Sequence, residues 1–368
     1  MSDSDSAKPV VSRRGFLGLG CCVAAMHGLL GTRAAAALAP SSGGIDVHAH
    51  IFPESFIKSI MDEGGPPGVR FDLSTASPFL MVGQNRLPLD DTYWDLDKRV
   101  KRMDAQGVST QAVSLTVPMV HWAPPARGAA LAQLVNDTMV AAHTAFPNRF
   151  VGCAALPIQD ASLAVKEINR LAGNPAIRGV YLPTWPGNHE LSDPSLFPIY
   201  ERCEALKLPV LLHPVGVIGV ERLGSFYLSN VLGNPFDTAV AASYLVFGGV
   251  LDRYPQLKIV LPHAGGAVPY LFGRLQHGQD VRPETKGVAQ MPFKEYLLRN
   301  FYYDTITHSP ELLRFLIGLV GVDRIMMGSD YCFDMGYERP RDIVAQVRLG
   351  RADREKIFSG NAARLLNL

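Results

Sequence analysis

The sequence predicts an α/β fold, a distorted (β/α)8 TIM barrel with insertions after its first and fifth strands. Three observations predict it. Short β-branched runs alternate with longer helical patterns eight times between residues 44 and 348. Most of the short runs are apolar almost throughout, as in parallel strands covered on both faces. The first strand ends in histidines, where a doubly wound sheet would open a glycine-rich phosphate loop. Such a barrel takes about 250 residues plus insertions, and the chain has 368.

The chain opens on a segment that reads as an address. Ser12-Arg13-Arg14-Gly15-Phe16-Leu17-Gly18 sets twin arginines before a glycine-softened apolar stretch, the pattern of a twin-arginine export signal. The alanine-rich tract at 34–39 offers A-x-A cleavage sites. A cut before Leu38 makes residues 1–37 the signal peptide and 38–368 the barrel domain, bound for the periplasm or beyond. The apolar run falls short of the roughly 20 residues a membrane span needs.

The strands are expected at 44–47, 111–115, 150–155, 178–182, 209–212, 258–261, 301–303 and 324–327. Helical patterns at 96–106, 129–146, 161–172, 195–206, 238–253, 268–277, 310–319 and 340–348 alternate with them, and a last helix falls near 353–366. Asp193-Pro194-Ser195 opens one helix, and Pro147, Pro209 and Pro255 follow helix ends. Residues 53–94, rich in Pro, Gly and Ser, read as an elaborated loop after strand one, and 216–235 as a second insertion after strand five. Both lie over the strand C-terminal ends, where barrel enzymes keep their active sites.

Composition narrows the partners. Apolar residues at 47% and charged ones at 19% describe a globular protein. Thirty-five basic against thirty-four acidic residues, with no long basic run, leave no footprint for nucleic acid. The expected mature chain keeps only Cys153, Cys203 and Cys332, which is no disulfide framework.

Chemistry gathers at the strand tips. In Asp46-Val47-His48-Ala49-His50 the two histidines are two residues apart, so an extended backbone points both the same way, a two-armed chelate for a borderline metal. Leu212-His213-Pro214 ends strand five, Pro262-His263-Ala264-Gly265-Gly266 follows strand six, and Gly328-Ser329-Asp330 closes strand eight. In a barrel these five residues from four strands converge on one rim. Of the other histidines, His143 lies in a helix and His277 ends one, where a cation suits the dipole; His121, His189 and His308 fall in loops. Strand four carries no lysine to bridge two metals, which points to one ion held by His48, His50, His213 and Asp330, with His263 as general acid and base.

These motifs, with Arg149-Phe150-Val151-Gly152, Leu156-Pro157, Gly248-Gly249-Val250 and Gly273-Arg274, make the chain from Ile45 onward resemble the second amidohydrolase family, in the branch of the muconate semialdehyde and resorcylate decarboxylases. The resemblance implies non-oxidative decarboxylation, the same four metal ligands and catalytic His263. It also implies a homodimer and substrate-binding arginines, matched here by Arg274 and Arg282. The family arginine before the Trp-Asp pair is replaced by Asp90, which disfavours the muconate semialdehyde itself; Arg86 is the nearest substitute, and Val215 departs from that enzyme's aromatic residue. The expected activity is therefore a carboxy-lyase of a small aromatic or conjugated acid, in which His263 together with Asp330 or a metal-bound water delivers the proton, with zinc as cofactor and manganese as the alternative. A metal-dependent hydrolase of a lactone, ester or amide, or a non-catalytic binding protein, would use the same constellation.

Overall fold

The computed structural model describes residues 43–187, 189–285 and 288–368. The expected export signal and cleavage site lie outside them. Ten strands occur among the described residues: β1 (Gly44–His50), β2 (Val69–Asp72), β3 (Phe79–Val82), β4 (Asn85–Pro88), β5 (Val108–Ser114), β6 (Phe150–Ala155), β7 (Ile177–Pro183), β8 (Val210–His213), β9 (Ile259–Leu261) and β10 (Phe301–Tyr303). Seven form one curled parallel sheet in the order β1-β5-β6-β7-β8-β9-β10, with helices between them in sequence.

The eighth strand expected at 324–327 is not a regular ladder. Single bridges, Tyr303 to Ile325 and Ala49 to Tyr331, carry the chain between β10 and β1. Met326 N donates to Tyr303 O at 2.9 Å, and Asp330 N donates to His48 O at 2.8 Å. The chain leaves the extended conformation at Gly328-Ser329-Asp330, where Asp330 takes φ +59°, so pairing closes the seam without a continuous strand.

Two apolar layers follow from this arrangement. Ile45, Val47, Ala112, Val151, Cys153, Tyr181, Leu211, Val260 and Met326 come from successive strands and fill the barrel interior. A larger cluster packs the outer sheet face against the helices. Strand β1 is three residues longer than expected, and its pairing with β5 shifts between Asp46 and Ala49. The extra residue of this bulge reverses the alternation. His48 and His50 thus continue the inward face that Ile45 and Val47 occupy deeper in the barrel.

The first insertion holds more order than a loop. A helix, Glu54–Glu63, buries Phe56, Ile57 and Ile60, and β2, β3 and β4 form a separate antiparallel sheet. Its strands are four residues each, and Gly83 at φ +60° makes the turn from β3 to β4. The second insertion ends in a wide turn, Ser229–Gly233, that runs into helix Asn234–Phe247. Asn85 Nδ2 donates to Ser229 Oγ at 3.0 Å and ties the two insertions together.

Most helices match their expected spans. Leu96–Gln106 is capped by Asp95, which accepts from Lys98 N, and closed by Gly107 at φ +70°. The segment expected as one helix at 238–253 is two, Asn234–Phe247 and Val250–Arg253, because Gly249 at φ +72° breaks it. Helix Phe293–Arg299 was not expected. No described helix is long and apolar enough to cross a membrane.

Candidate metal centre and active site

Five side chains meet at the C-terminal rim. His48 and His50 arrive on the bulged end of β1 and His213 on the last residue of β8. His263 follows β9 in a turn where four consecutive residues, His263 to Gly266, have positive φ. Asp330 stands on the seam segment. His50 Nε2 lies 3.0 Å from Asp330 Oδ1, His48 Nε2 3.3 Å from the same oxygen, and His263 Nε2 3.5 Å from Oδ2. The His213 ring centre is 4.9 Å from that of His50 and 5.5 Å from that of His48. One ligand atom each from His48, His213, His263 and Asp330 falls within 4.8 Å of the others, a set that could hold a metal ion. It has His263 where the expected ligand set has His50; both are in the cluster.

The shell behind these residues sets their orientation. Asp304, directly after β10, accepts His48 Nδ1–H at 2.8 Å. The same carboxylate accepts His263 N at 2.9 Å, Ala264 N at 2.7 Å and Ile306 N at 3.0 Å. A carboxylate only accepts, so the His48 proton sits on Nδ1 and its Nε2 lone pair faces Asp330. That Nε2 is buried with no hydrogen-bond partner. His50 Nδ1 meets Ser114 Oγ at 3.0 Å.

Below them, Asp46 accepts from His48 N, Ser329 N, Ser329 Oγ and Gln111 Nε2, joining β1 to the seam and to β5. Buried Arg99 extends this network, donating to Gln111 Oε1 at 2.8 Å and His50 O at 2.7 Å. Asp304, Asp46 and Arg99 were not singled out from the sequence. Asp304 carried a usable signal, a carboxylate at a strand tip.

Electrostatics favour a cation among these atoms. Burial lowers His213 well below the ordinary imidazole range and His50 to about 4. Burial opposes the charge on Asp330 too, yet His48, His263 and His50 outweigh it and hold the carboxyl well below its usual value. His48 is likewise disfavoured as a cation by burial, but Asp330 and Asp304 raise it above its ordinary value. Imidazole nitrogens converging on an ionised carboxylate, with buried His48 Nε2 left without a hydrogen-bond partner, are the donor set of a divalent metal site.

A cavity of about 370 Å³ opens above the cluster onto His213, His263 and Asp330. Arg274 is exposed on helix Val268–Val281, and Arg282 is exposed and paired with Glu284; neither lines this cavity. Arg86 lies 4.2 Å from the Phe79 ring centre and donates to Ser77 O at 3.1 Å, so its charge is spent outside the site. Asp90 caps a turn by accepting from Thr92 N. His143 bonds Phe150 O, and His308 stacks on Tyr337. His121 and His189 do not line the cavity either.

The family model for amidohydrolases, Amidohydro_2, matches residues 45–368. The chain belongs to the amidohydrolase family. Among related sequences, the 2-amino-3-carboxymuconate-6-semialdehyde decarboxylase of Dictyostelium discoideum is 31% identical, covering 88% of this chain and 91% of that one. The gamma-resorcylate decarboxylase of Polaromonas sp. JS666 is 30% identical over 74% of this chain and 87% of its own. Among solved structures, Metarhizium anisopliae IDCase superposes with a TM-score of 0.79 at 26% identity, covering 88% of this chain and 97% of that one. A dihydroxybenzoic acid decarboxylase from Polaromonas sp. JS666, solved with manganese and 2-nitroresorcinol, gives 0.73 at 27% identity, covering 89% and 98%.

Proposed function

We propose that this amidohydrolase is a metal-dependent, non-oxidative decarboxylase of a small aromatic or conjugated carboxylic acid. The observation that carries the reading is the convergence of His48, His50, His213, His263 and Asp330 at the floor of a cavity, in a chain related to decarboxylases of such acids. Zinc suits three imidazoles and a carboxylate, and manganese is the alternative. His48, His50, His213 and Asp330 would hold the ion. His263 takes the proton-transfer role because it faces the cavity, with its side chain 15% exposed against 5% for His48 and 0% for His50.

A bound divalent ion supplies Lewis-acid polarisation of a substrate oxygen. The remaining work falls to the chain. His263 Nε2, beside Asp330, delivers a proton to the ring carbon that bears the carboxylate. A π pair of the ring takes up that proton to form the new C–H bond; the carbon–carboxylate bond then breaks, carbon dioxide leaves, and the pair from the broken bond returns to the ring and restores it. Val117, Val215, Val217 and Phe333 give the cavity an apolar lining.

Arg274 and Arg282, exposed on their own chain, would serve the substrate of a neighbouring copy in a homodimer. Phe226 at 91% and Tyr270 at 87% exposure supply apolar surface for such a contact. Export of the barrel, 38–368, through the twin-arginine route is proposed from residues 12–18 alone. The test of function is carbon dioxide release from hydroxybenzoates by the metal-loaded protein, and its collapse in His263→Ala. Incorporation of solvent oxygen into product without carbon dioxide would instead make the protein a hydrolase.

A further inference from the structure

Arg99 stands on helix Leu96–Gln106 and is 0% exposed, yet among the described residues no carboxylate pairs with it. Taking a guanidinium out of water without a counter-ion opposes folding, so the contacts that replace its hydration locate its role. Nε donates to Gln111 Oε1 at 2.8 Å. Nη1 donates to His50 O at 2.7 Å, to Thr92 O at 3.2 Å and to Cys332 Sγ at 3.2 Å. The guanidinium carbon also lies 4.8 Å from the centre of the Tyr331 ring. Nη2 is buried with no hydrogen-bond partner, so Nε and Nη1 make all of these bonds. The partners come from β1, from β5, from the turn before the helix and from the seam that closes the barrel.

Regular pairing fails at that seam, and Asp330 stands on it. Ala49 and Tyr331 form a single bridge there, with His50 N donating to Tyr331 O at 2.6 Å and Asp330 N to His48 O at 2.8 Å. Before Asp330 the chain is tied by Ser329 Oγ, which donates to Asp46 at 2.6 Å. After it, Tyr331 and Cys332 are held by Arg99, and Thr92 Oγ1 meets Tyr331 OH at 2.8 Å. We infer that Arg99 is a positioning residue for the metal centre: its fork clamps the segment carrying Asp330 against the end of β1 carrying His50, where no continuous eighth strand holds the two in register. The inference rests on the metal-centre reading of His48, His50, His213 and Asp330. A planar fork reaches β1, β5 and the seam together, which the point charge of a lysine does not. Charge alone acts in the opposite direction, because the guanidinium opposes a second cation at His50. The clamp and the field therefore predict opposite signs when the side chain is removed.

The test compares the full-length wild type with Arg99→Met and Arg99→Lys by two readouts that do not involve turnover. Zinc affinity is measured by competition with a chelator, and amide hydrogen exchange by mass spectrometry on segments 44–52 and 325–333 against β6 and β7. Arg99→Met is expected to bind zinc about 10–100-fold more weakly, the scale of losing a support behind a metal ligand, and to exchange faster at the seam segments while β6 and β7 stay as in the wild type. Arg99→Lys keeps the charge without the fork and is expected to weaken zinc binding as well. Zinc bound as tightly as by the wild type, or more tightly, overturns the inference. So does exchange that rises evenly through the barrel, which a merely structural role would give, or that does not rise at the seam. If Arg99→Met does not fold, Arg99→Lys decides by the same readouts; failure of both to fold makes the arginine a requirement of the whole barrel and overturns the inference. A wild type that binds no zinc or manganese removes the metal-centre reading, while the exchange arm still reads the clamp.

Discussion

Replacing Asp304 with Asn tests whether the site depends on the shell behind its ligands. The carboxylate takes His48 Nδ1–H and His263 N on Oδ2 and Ala264 N and Ile306 N on Oδ1. An amide keeps one acceptor oxygen and turns an NH2 group toward the other two donors. With the oxygen left on the Ala264 side, His48 Nδ1–H faces a donor, and the imidazole must turn or shift its proton. Either change misaligns Nε2, the atom that faces Asp330. Losing the carboxylate that holds a metal-binding histidine costs about 10–100-fold in metal affinity, or about 1.4–2.7 kcal/mol. The assay is competition for zinc or manganese against a chelator of known strength, with circular dichroism to confirm the fold. A variant that stays folded and holds metal as tightly as the wild type would refute the argument that Asp304 orients His48.

Three further outcomes follow from the geometry. Gly266 sits at φ +56°, and a Cβ there would lie 2.4 Å from Pro235 O and 2.9 Å from Pro235 Cα. Gly266→Ala is therefore expected to cost at least about 2 kcal/mol in urea unfolding, since backbone must move and φ suits only glycine; a loss under about 0.5 kcal/mol would contradict the contact. Burial raises the Asp237 carboxyl to about 6 even though Thr184 donates to it. A carboxyl with a raised folded-state value favours the native state below that value, and the native state loses this advantage as pH climbs from about 4 through 6. Asp237→Asn should accordingly gain on the wild type between pH 5 and pH 8, by at most about 1.5 kcal/mol, in melting curves across that range; a pH-independent difference would show that the group is not strained by ionisation. Arg274→Ala is expected to raise KM at least tenfold, the scale of a lost charge-assisted bond, while sedimentation of the wild type shows a dimer. An unchanged KM with a monomeric wild type would remove the arginine from the site.

The barrel was legible because its signal is local. Each parallel strand is a short apolar run, and each is followed by a turn and an amphipathic helix, so β5 to β10 fall within three residues of their expected starts. The eighth segment hides its irregularity, since Arg324-Ile325-Met326-Met327 reads as a strand while Asp330 turns away from it. The small sheet of the first insertion escaped notice because four-residue strands bury too few side chains to show alternation. At the site, His48, His50, His213, His263 and Asp330 were visible as polar residues interrupting apolar strand tips. Asp304 obeys the same rule, directly after β10. Asp46 and Arg99 work through partners distant in sequence: Ser329 is 283 residues from Asp46, and His50 is 49 from Arg99. Nothing local marks such pairs. The exposure of Arg274 and Arg282 also depends on packing that motif spacing does not carry.

Metal content and carbon dioxide release measured on the same preparation bear most directly on the claim that a mononuclear centre drives decarboxylation. Protein purified without chelator is expected to carry one zinc or manganese per chain and to release carbon dioxide from a hydroxybenzoate. Asp330→Ala, which removes the carboxylate shared by His48, His50 and His263, is expected to lose both together. Full carbon dioxide release from protein stripped of divalent metal would contradict the account.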